Sequence, residues 1–433
     1  MKVLWVVNHH MAELANEIGL KPPVSGSWLV EMSASLSSIE NIELNIVCPT
    51  KKKDKKRYIK GINYYQLEMS NYDRYKAPSK KMMEQTSSLI EELNPDIIHL
   101  QGSEFAYNLA FLKQKKVPVV ISIQGLISEI VKNDNDWGGI NYKGLANYFS
   151  LNNLMIYLPL RLKKFRNKLR ANAEIKQLQQ CNYRIGRTNW DKIHSYFYNP
   201  QGQYYYLQET IRKSFLYQKW EIEEASKFTV FCAGGYSSPL KGAHKTFEAI
   251  ALLKKEFPKI QVRVVGRDPR ELKYNYGYTK YIVNCIKKLK LDDNIVFTGI
   301  LSDSQMAEEF SKAHVYVIGS SIENSSNTMG EAMCVGTPGV IANVGGLPSL
   351  ADDEKEVLFY RFGDVEQMAW QIRRIFRNVS LASKLSKNSK KRAEAQYSNK
   401  NITTKLIGIY NDVIESSKKN KISDKKGNED VKR

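Results

Sequence analysis

The 433-residue sequence predicts an α/β protein with two doubly wound domains, each built on a parallel sheet. Three observations support this fold class. The chain is longer than one hydrophobic core usually serves and suits about two domains. Short strand-like runs alternate with amphipathic helical stretches along most of its length. These runs are apolar almost throughout, which indicates sheets covered by helices on both faces.

The first predicted domain spans residues 1–205. An amphipathic pattern at residues 82–94 predicts one of its helices. Its strands are expected at residues 2–7, 43–48, 96–100, 117–123 and 182–186. The alternation then pauses over residues 192–226, where we place the junction between the domains.

The second predicted domain spans residues 206–385 and has an amphipathic helix at residues 244–257. Its strands are expected at residues 228–234, 261–266, 294–299, 314–320 and 337–343. A helix over residues 386–417 is expected to pack back toward the first domain. Residues 418–433 are basic and almost free of apolar side chains, which predicts a disordered tail.

Composition and charge exclude several classes of protein. No apolar run approaches the about 20 residues that span a bilayer, and the first residues have the pattern of a buried strand rather than of a signal peptide. We therefore expect a cytoplasmic protein, either free or peripheral on the inner face of the membrane. The five cysteines and six histidines show no disulfide or metal-ligand spacing, so neither a metal nor a resident cofactor is expected.

Two glutamates, Glu323 and Glu331, bracket the most informative stretch of the sequence. It connects the strand at 314–320 to a helix of small residues at 330–336. Ligands of open α/β sheets bind beyond the carboxyl ends of the strands, and a helix N-terminus offers free amides to a phosphate. The small polar residues that would let a ligand approach the backbone are Ser325, Ser326, Asn327 and Thr328. The stretch predicts a diphosphate site with a carboxylate on either side.

A ligand-free interpretation of this stretch stays open. Thr328 and Glu331 also have the spacing of a capping box, which stabilises a helix start by about 1 kcal/mol. A second turn favours a ligand, because a Gly-rich segment leads to Lys241-Gly242 at the start of a helix. A cation there opposes the helix dipole unless an anion is bound. The alternative is a lysine that extends into water.

These residues resemble the C-terminal domain of the retaining glycosyltransferases of family 4 (glycosyl transferases group 1), which have the GT-B fold of two Rossmann-like domains facing a cleft. The family's E-x(7)-E signature matches Glu323 and Glu331, and its lysine–glycine step matches Lys241-Gly242. A G-T-P turn and the Gly345-Gly346 loop follow in the family's order. In the N-terminal half, residues 22–28 resemble the family's Pro/Gly loop after the first strand, and residues 96–105 resemble its Asp-x-x-His-x-x-Gly strand end. Residues 121–126 and 185–191 resemble blocks of a bacterial polysaccharide-related branch.

The resemblance implies a role for each matching residue. Glu323 would bind hydroxyls of the donor sugar, Glu331 would bind the ribose, and Lys241 would neutralise the departing phosphate. The remaining residues implied in donor binding are Gly26, Ser27, Gly242, Ser325, Ser326, Asn327 and Thr328. The donor would be a nucleotide-diphosphate sugar, with UDP expected, and the acceptor a saccharide or a lipid-linked molecule. Attack from the front face would retain the anomeric configuration.

The sequence departs from the family at two positions. Tyr236 stands where the family usually has an arginine, so one phosphate-binding cation is missing unless Arg267 or Arg187 replaces it. Gln124 stands where a histidine commonly ends the strand at 117–123. All four residues are candidate contacts to the donor or the acceptor. No Asp-x-Asp-type motif is obvious at a strand end, so we expect a metal-independent reaction in which Lys241 and the helix N-terminus compensate the developing charge.

The net charge of +20 concentrates in two clusters of the first domain, at residues 51–57 and 161–170. In the second cluster, apolar residues recur at helical spacing and six Lys and Arg fill the other faces. This pattern is typical of a helix on an anionic membrane. A helix packed on its own domain, with a solvated basic face, explains it equally well.

The leading hypothesis is a hexosyl-transferring, retaining glycosyltransferase of cell-surface polysaccharide or glycolipid synthesis. An epimerase or a phosphorylase-like enzyme with the same fold is the nearest alternative, because a fold does not fix a function. A basic polyanion-binding protein is disfavoured, because no nucleic-acid motif accompanies the charge, and no specific nucleic acid is expected as a partner. A nicotinamide-dependent oxidoreductase is disfavoured because no G-x-G-x-x-G follows the first strand.

Overall fold

The structure is a computed structural model that describes residues 1–21, 27–50, 56–132, 136–141, 154–273, 275 and 277–430. The chain forms two compact units. The first contains residues 1–131, 165–210 and 398–433, and the second contains residues 132–164 and 211–397. The junction therefore falls after residue 210 rather than 205. The C-terminal segment that belongs to the first unit begins at 398 rather than 386.

The strands alternate with helices as the sequence predicts. In chain order they are β1 Lys2–Val7, β2 Glu43–Thr50, β3 Arg57–Ile59, β4 Ile62–Glu68, β5 Ile97–Gln101, β6 Val119–Ser122, β7 Asp136–Trp137, β8 Ile140–Asn141, β9 Tyr183–Gly186, β10 Gln203–Tyr206, β11 Ser226–Cys232, β12 Gln261–Val264, β13 Ile295–Phe297, β14 Ala313–Ile318, β15 Gly339–Ala342 and β16 Leu358–Tyr360.

The helices cover the sheets and carry the loops that concern function. They are α1 Ala12–Glu17, α2 Ser27–Ser37, α3 Asn71–Tyr75, α4 Lys80–Leu93, α5 Asn108–Leu112, α6 Ile127–Lys132, α7 Leu154–Gln180, α8 Asn189–Tyr198, α9 Lys213–Tyr217, α10 Ala243–Leu253, α11 Gly277–Lys288, α12 Asp303–Lys312, α13 Asn327–Val335, α14 Val365–Arg377, α15 Val379–Gln396 and α16 Asn399–Asp430. Short 3-10 turns lie at Pro239–Lys241, Pro269–Glu271 and Leu347–Ser349.

The first unit contains an eight-stranded sheet in the order β10-β9-β6-β5-β1-β2-β4-β3. Its strand pairs are parallel except β3 with β4. The strand order runs outward in opposite directions from β1 and β5, so their carboxyl ends form the switch point at which such sheets bind ligands. The sequence analysis misses β3, β4 and β10, because their polar and tyrosine-rich sequences lack the continuous apolar run of the other strands.

The second unit contains a six-stranded, fully parallel sheet in the order β13-β12-β11-β14-β15-β16. All six residues of β14 are buried, as expected for a central parallel strand. The core packs the sheet against helices, for example through an edge-to-face contact between Phe231 of β11 and Phe310 of α12. The switch point of this sheet lies between β11 and β14.

Helix α16 is held in the first unit by a buried polar chain. The Trp5 indole donates a hydrogen bond to the Tyr410 hydroxyl (2.8 Å), and that hydroxyl is hydrogen-bonded to Nδ1 of His99 (2.6 Å). Residues 418–430 contain no proline and only one glycine. In place of the disordered tail expected at 418–433, the structure continues the helix through residue 430. Among the described helices, none is both long enough and apolar enough to cross a membrane.

Candidate functional site

A small pocket lies at the switch point of the second unit, where the loops that follow β11 and β14 meet. It is formed at the position that the parallel topology predicts for a ligand. Its polar and glycine lining comprises Gly234, Lys241, Gly319, Ser320, Glu323, Ser326 and Thr328. The pocket therefore brings together four of the residues predicted from the sequence, namely Lys241, Glu323, Ser326 and Thr328. Gly242, Ser325, Asn327 and Glu331 lie in the adjoining segments without lining the pocket.

The start of helix α13 differs from the capping box that the spacing of Thr328 and Glu331 suggests. Ser326 is the N-cap, and its hydroxyl accepts a hydrogen bond from the amide of Met329 (3.3 Å). The capping box that would have used Thr328 and Glu331 does not form, because the helix begins two residues earlier than that motif requires. The left-handed Gly336 ends the helix as predicted.

The Glu331 carboxylate is held by an arginine that the sequence analysis does not single out. Arg212 donates from Nε (2.8 Å) and from Nη2 (2.5 Å), and both bonds end on Oε1 of Glu331. Arg212 also pairs with Asp303 through Nη1. Burial raises the pKa of Glu331 to about 7, and the Arg212 charge opposes that rise. Among the described residues, none donates a hydrogen bond to Oε2 of Glu331, so both bonds from Arg212 leave that oxygen without a protein donor.

Lys241 and Glu323 form an ion pair at the pocket wall. Lys241 Nζ lies 2.5 Å from Oε1 of Glu323, and the hydroxyl of Ser320 donates to the same oxygen (2.8 Å). The lysine is about 40% exposed and the glutamate about 15%. The carboxylate that offsets the Lys241 charge therefore comes from the protein itself. A bound phosphate would share the lysine with Glu323 rather than meet an unpaired cation.

Two glycines allow the loops of the site to touch. Gly242 has φ +71°, and a Cβ there would lie 1.7 Å from the carbonyl oxygen of Gly319. Gly345 has φ +52°, and a Cβ there would lie 2.0 Å from the carbonyl oxygen of Glu323. The amide of Gly346 donates to that same carbonyl (3.0 Å). Side chains at Gly242 and Gly345 are excluded because backbone fills the space, which fixes the positions of Lys241 and Glu323.

His244, in the first turn of α10, connects this site to the β7–β8 hairpin. Its Nε2 lies 2.8 Å from the carbonyl oxygen of Gly138, and its Nδ1 lies 2.9 Å from the Tyr278 hydroxyl. A carbonyl only accepts, so Nε2 carries the proton and Nδ1 accepts from Tyr278. Burial lowers the pKa of His244 to about 4, so the ring is neutral at pH 7. Sequence reasoning misses this contact, because a lone histidine in a helix has no spacing that identifies its partner.

The two residues that depart from the family pattern, Tyr236 and Gln124, and the two possible replacement arginines, Arg267 and Arg187, lie in different places. The Tyr236 hydroxyl donates to the carbonyl oxygen of Arg267, and neither residue lines the pocket. Arg187 lies in the first unit, where Nη1 pairs with Glu209 (2.6 Å) and Nη2 donates to the carbonyl oxygen of Gln124 (2.7 Å). Arg187 is therefore committed to a buried pair within its own unit. Arg267 is exposed beside the loop that carries Tyr236.

Two predicted donor contacts from the N-terminal half cannot be placed in this site. Gly26 lies outside the described residues, and Ser27 is described only as the first residue of α2. Within the described ranges, no three His, Cys, Asp or Glu side chains cluster in a way that could hold a metal ion.

Comparison with known proteins adds the family. Residues 216–392 match the family model described as "Glycosyl transferases group 1", and residues 26–150 match the one described as "Glycosyl transferase 4-like". An uncharacterized glycosyltransferase of Methanocaldococcus jannaschii is 26% identical over 135 residues, which are 31% of this chain and 35% of that protein. The chain matches less than half the length of each curated relative.

Solved structures with the GT-B fold are similar over nearly the whole chain. Sucrose-phosphate synthase from Thermosynechococcus elongatus has a TM-score of 0.70 at 16% identity and covers 96% of this chain and 100% of its own. Anabaena HepE in complex with UDP-glucose has a TM-score of 0.63 at 13% identity and covers 94% and 98%. Identities this low establish the fold alone.

Proposed function

Since the chain belongs to the group 1 glycosyltransferases and has the GT-B fold, we propose that it transfers a sugar from a nucleotide-diphosphate donor to a saccharide or lipid-linked acceptor, with retention at the anomeric carbon. The observation that carries the proposal is the switch-point pocket of the second unit. It places a lysine, a carboxylate and a helix N-terminus within one small volume. UDP is the proposed nucleotide, because a solved relative of the fold is described with UDP-glucose.

The donor diphosphate would lie against the N-terminus of α13 and the ammonium group of Lys241. Helix amides and a lysine are both suited to phosphate, and together they place positive charge where the leaving group develops negative charge. Glu331 would accept hydrogen bonds from the ribose hydroxyls through Oε2. Its other oxygen is already occupied by Arg212.

The reaction breaks the bond between the anomeric carbon and the phosphate oxygen and forms a bond from that carbon to the acceptor oxygen. The nucleoside diphosphate leaves with the electron pair, and the acceptor's proton passes to the departing phosphate oxygen on the same face. Glu323 would bind hydroxyls of the transferred sugar from its position beside Lys241. Exclusion of water from the site would limit hydrolysis.

A donor screen tests the proposal. Purified protein is incubated with UDP-, GDP- and ADP-sugars, with and without saccharide and lipid-phosphate acceptors, and nucleotide release is measured. Release that depends on an acceptor indicates transfer. Interconversion of the donor without release would instead support the epimerase alternative. Absence of nucleotide binding by calorimetry, together with absence of release from every donor, would overturn the proposal.

A further inference from the structure

Three arginines of the first unit surround two aromatic rings. The guanidinium carbons of Arg74 and Arg170 lie 4.5 Å and 4.8 Å from the ring centre of Phe105. Those of Arg166 and Arg74 lie 5.5 Å and 5.6 Å from the ring centre of Tyr75. We call these five residues the arginine cluster. The planar rings keep three like charges close together by stacking.

The arginine cluster lies at the ligand-binding edge of its sheet. Arg74 and Tyr75 belong to α3, which follows the carboxyl end of β4. Phe105 follows the carboxyl end of β5. Since β4 and β5 belong to the parallel part of one sheet, both ends face the same edge, where open α/β sheets bind their ligands. The arginine cluster therefore lies at the edge of the sheet where a ligand is expected to bind.

The charge of the cluster is not neutralised by a direct ion pair with any described carboxylate. Arg170 donates from Nε to the main-chain oxygen of Glu104 (3.0 Å) rather than to its carboxylate. That carboxylate accepts from Asn8 (2.7 Å), and burial raises the pKa of Glu104. Nε of Arg74 is buried and has no hydrogen-bond partner among the described residues. The charge and the donor capacity of the cluster both point to an anionic ligand.

Helix α7, which carries Arg166 and Arg170, is anchored by hydrogen bonds of Glu174 and Gln177. Glu174 accepts hydrogen bonds from the hydroxyl of Ser103 (3.1 Å), the amide of Ile127 (3.1 Å), and the amide (2.9 Å) and hydroxyl (2.7 Å) of Ser128. Gln177 donates to the carbonyl oxygens of Ser103 and Phe105. These bonds anchor α7 one turn beyond Arg170, and a selective binding site requires such support.

We propose that Arg74, Arg166 and Arg170 bind a phosphoryl group carried by the acceptor. The phosphate site is inferred from the first unit alone. The statement that the phosphoryl group belongs to the acceptor rests on the proposed function. Guanidinium groups match the oxygens of phosphate through paired hydrogen bonds. A phosphate offers up to three such oxygens and up to two charges, which suits three arginines better than a single carboxylate does. The group is a phosphate ester, either of a soluble molecule or of a lipid.

Calorimetric titration with inorganic pyrophosphate in the presence of saturating UDP tests the site, because UDP would occupy the anion site proposed for the second unit. Arg74→Gln and Arg166→Gln are each expected to weaken pyrophosphate binding about tenfold. Arg74→Lys is expected to lose most of that affinity too, because lysine keeps the charge but not the paired geometry. Lys176→Gln, an exposed position on the same helix, is the matched control and should bind as the unchanged protein does.

A parallel titration in the Lys241→Gln background separates this site from the donor site without relying on UDP. Pyrophosphate binding that persists there and is lost on adding Arg166→Gln supports the arginine cluster even if no nucleotide binds. Equal affinities in the unchanged protein and in both glutamine variants, or no pyrophosphate binding at all, overturn the proposal. Flotation with phosphatidic acid vesicles identifies the source of the phosphate. Loss of flotation in Arg166→Gln indicates a lipid phosphate, and unchanged flotation with lost pyrophosphate binding indicates a soluble one.

Discussion

Arg212 and Glu331 are joined by two hydrogen bonds although 119 positions separate them in the sequence. These hydrogen bonds hold the Glu331 carboxylate in place within helix α13, and they lower the electrostatic cost of burying it. The same carboxylate is nearly enclosed, with its residue 5% exposed. Burial still dominates, because the pKa of Glu331 is raised to about 7 rather than lowered. Nucleotide binding through Glu331 should therefore depend on pH near neutrality.

The first prediction concerns that pH dependence. Glu331 accepts ribose hydroxyls best as a carboxylate, so UDP binding should tighten as pH rises from 6 to 8. In Arg212→Met the favourable cation is gone, the pKa of Glu331 rises further, and the tightening should shift to higher pH. Calorimetric Kd values for UDP between pH 6 and 9 measure both midpoints. Arg373→Met, which removes an exposed partner of Glu256, is the control, and coincident curves for Arg212→Met and this control would contradict the assignment.

The second prediction separates the roles of Lys241 and Glu323. Lys241→Ala removes a phosphate contact and should weaken UDP binding and lower kcat/KM by about 100-fold. Glu323→Gln removes the competitor for the lysine, so UDP itself should bind as well as before or more tightly. Turnover of the UDP-sugar should fall in this variant, because the carboxylate at the sugar is lost. Enzyme kinetics and UDP calorimetry on the same samples make the comparison.

A matched ion pair controls for general effects of charge removal. Lys312 and Glu308 pair on the exposed face of α12 in the same unit. Lys312→Ala and Glu308→Gln should leave kcat, KM and the Kd for UDP unchanged. If Glu323→Gln weakened UDP binding as much as Lys241→Ala does, the division of roles between sugar and phosphate would be wrong.

The third prediction tests the close approach of Gly242 to Gly319. Gly242→Ala forces a non-glycine residue into positive φ and places its Cβ against a carbonyl oxygen. The variant should lose at least about 2 kcal/mol of unfolding free energy and bind UDP weakly. Gly408→Ala is the control, because Gly408 lies exposed in helix α16 with nothing within 4 Å of a Cβ. Gly408→Ala should raise the free energy of unfolding by about 0.5–1 kcal/mol. Urea unfolding measures the free energy of unfolding of both variants.

The sequence predicts the parallel strands well where they are buried on both faces. β1, β5 and β14 are mostly apolar in sequence, and nearly all of their residues are buried. The edge strand β10 is missed for the opposite reason. β10 carries three tyrosines whose rings are partly exposed, so its sequence also fits a loop.

The residues of the candidate site also divide into those that the sequence predicts and those that it does not. Glu323, Lys241 and the loop before α13 follow strand ends, and the topology alone brings them together. Arg212 and His244 contact partners that are distant in sequence, and single residues without a repeat spacing carry no information about such partners. The capping role falls on Ser326 rather than on Thr328, because serine is a better N-cap than threonine and the sequence offers both within three residues.

The last prediction concerns acid stability of the second unit. His244 is buried and neutral, with its pKa lowered to about 4, whereas it titrates near 6.5 in the unfolded chain. Below pH 6.5 the unfolded chain binds a proton that the folded chain does not, so stability falls as pH decreases from 6.5 to about 4. The loss from this residue can reach about 3 kcal/mol. In His244→Gln the amide can still donate to Gly138 but does not titrate, so urea midpoints at pH 7.5 and 5.0 should differ less than in the unchanged protein. His314 is also buried, with its pKa lowered to about 4. In His314→Gln the difference between the two urea midpoints should likewise be smaller than in the unchanged protein. An unchanged difference between the two pH values in His244→Gln would show that its ring is not held neutral in the folded unit.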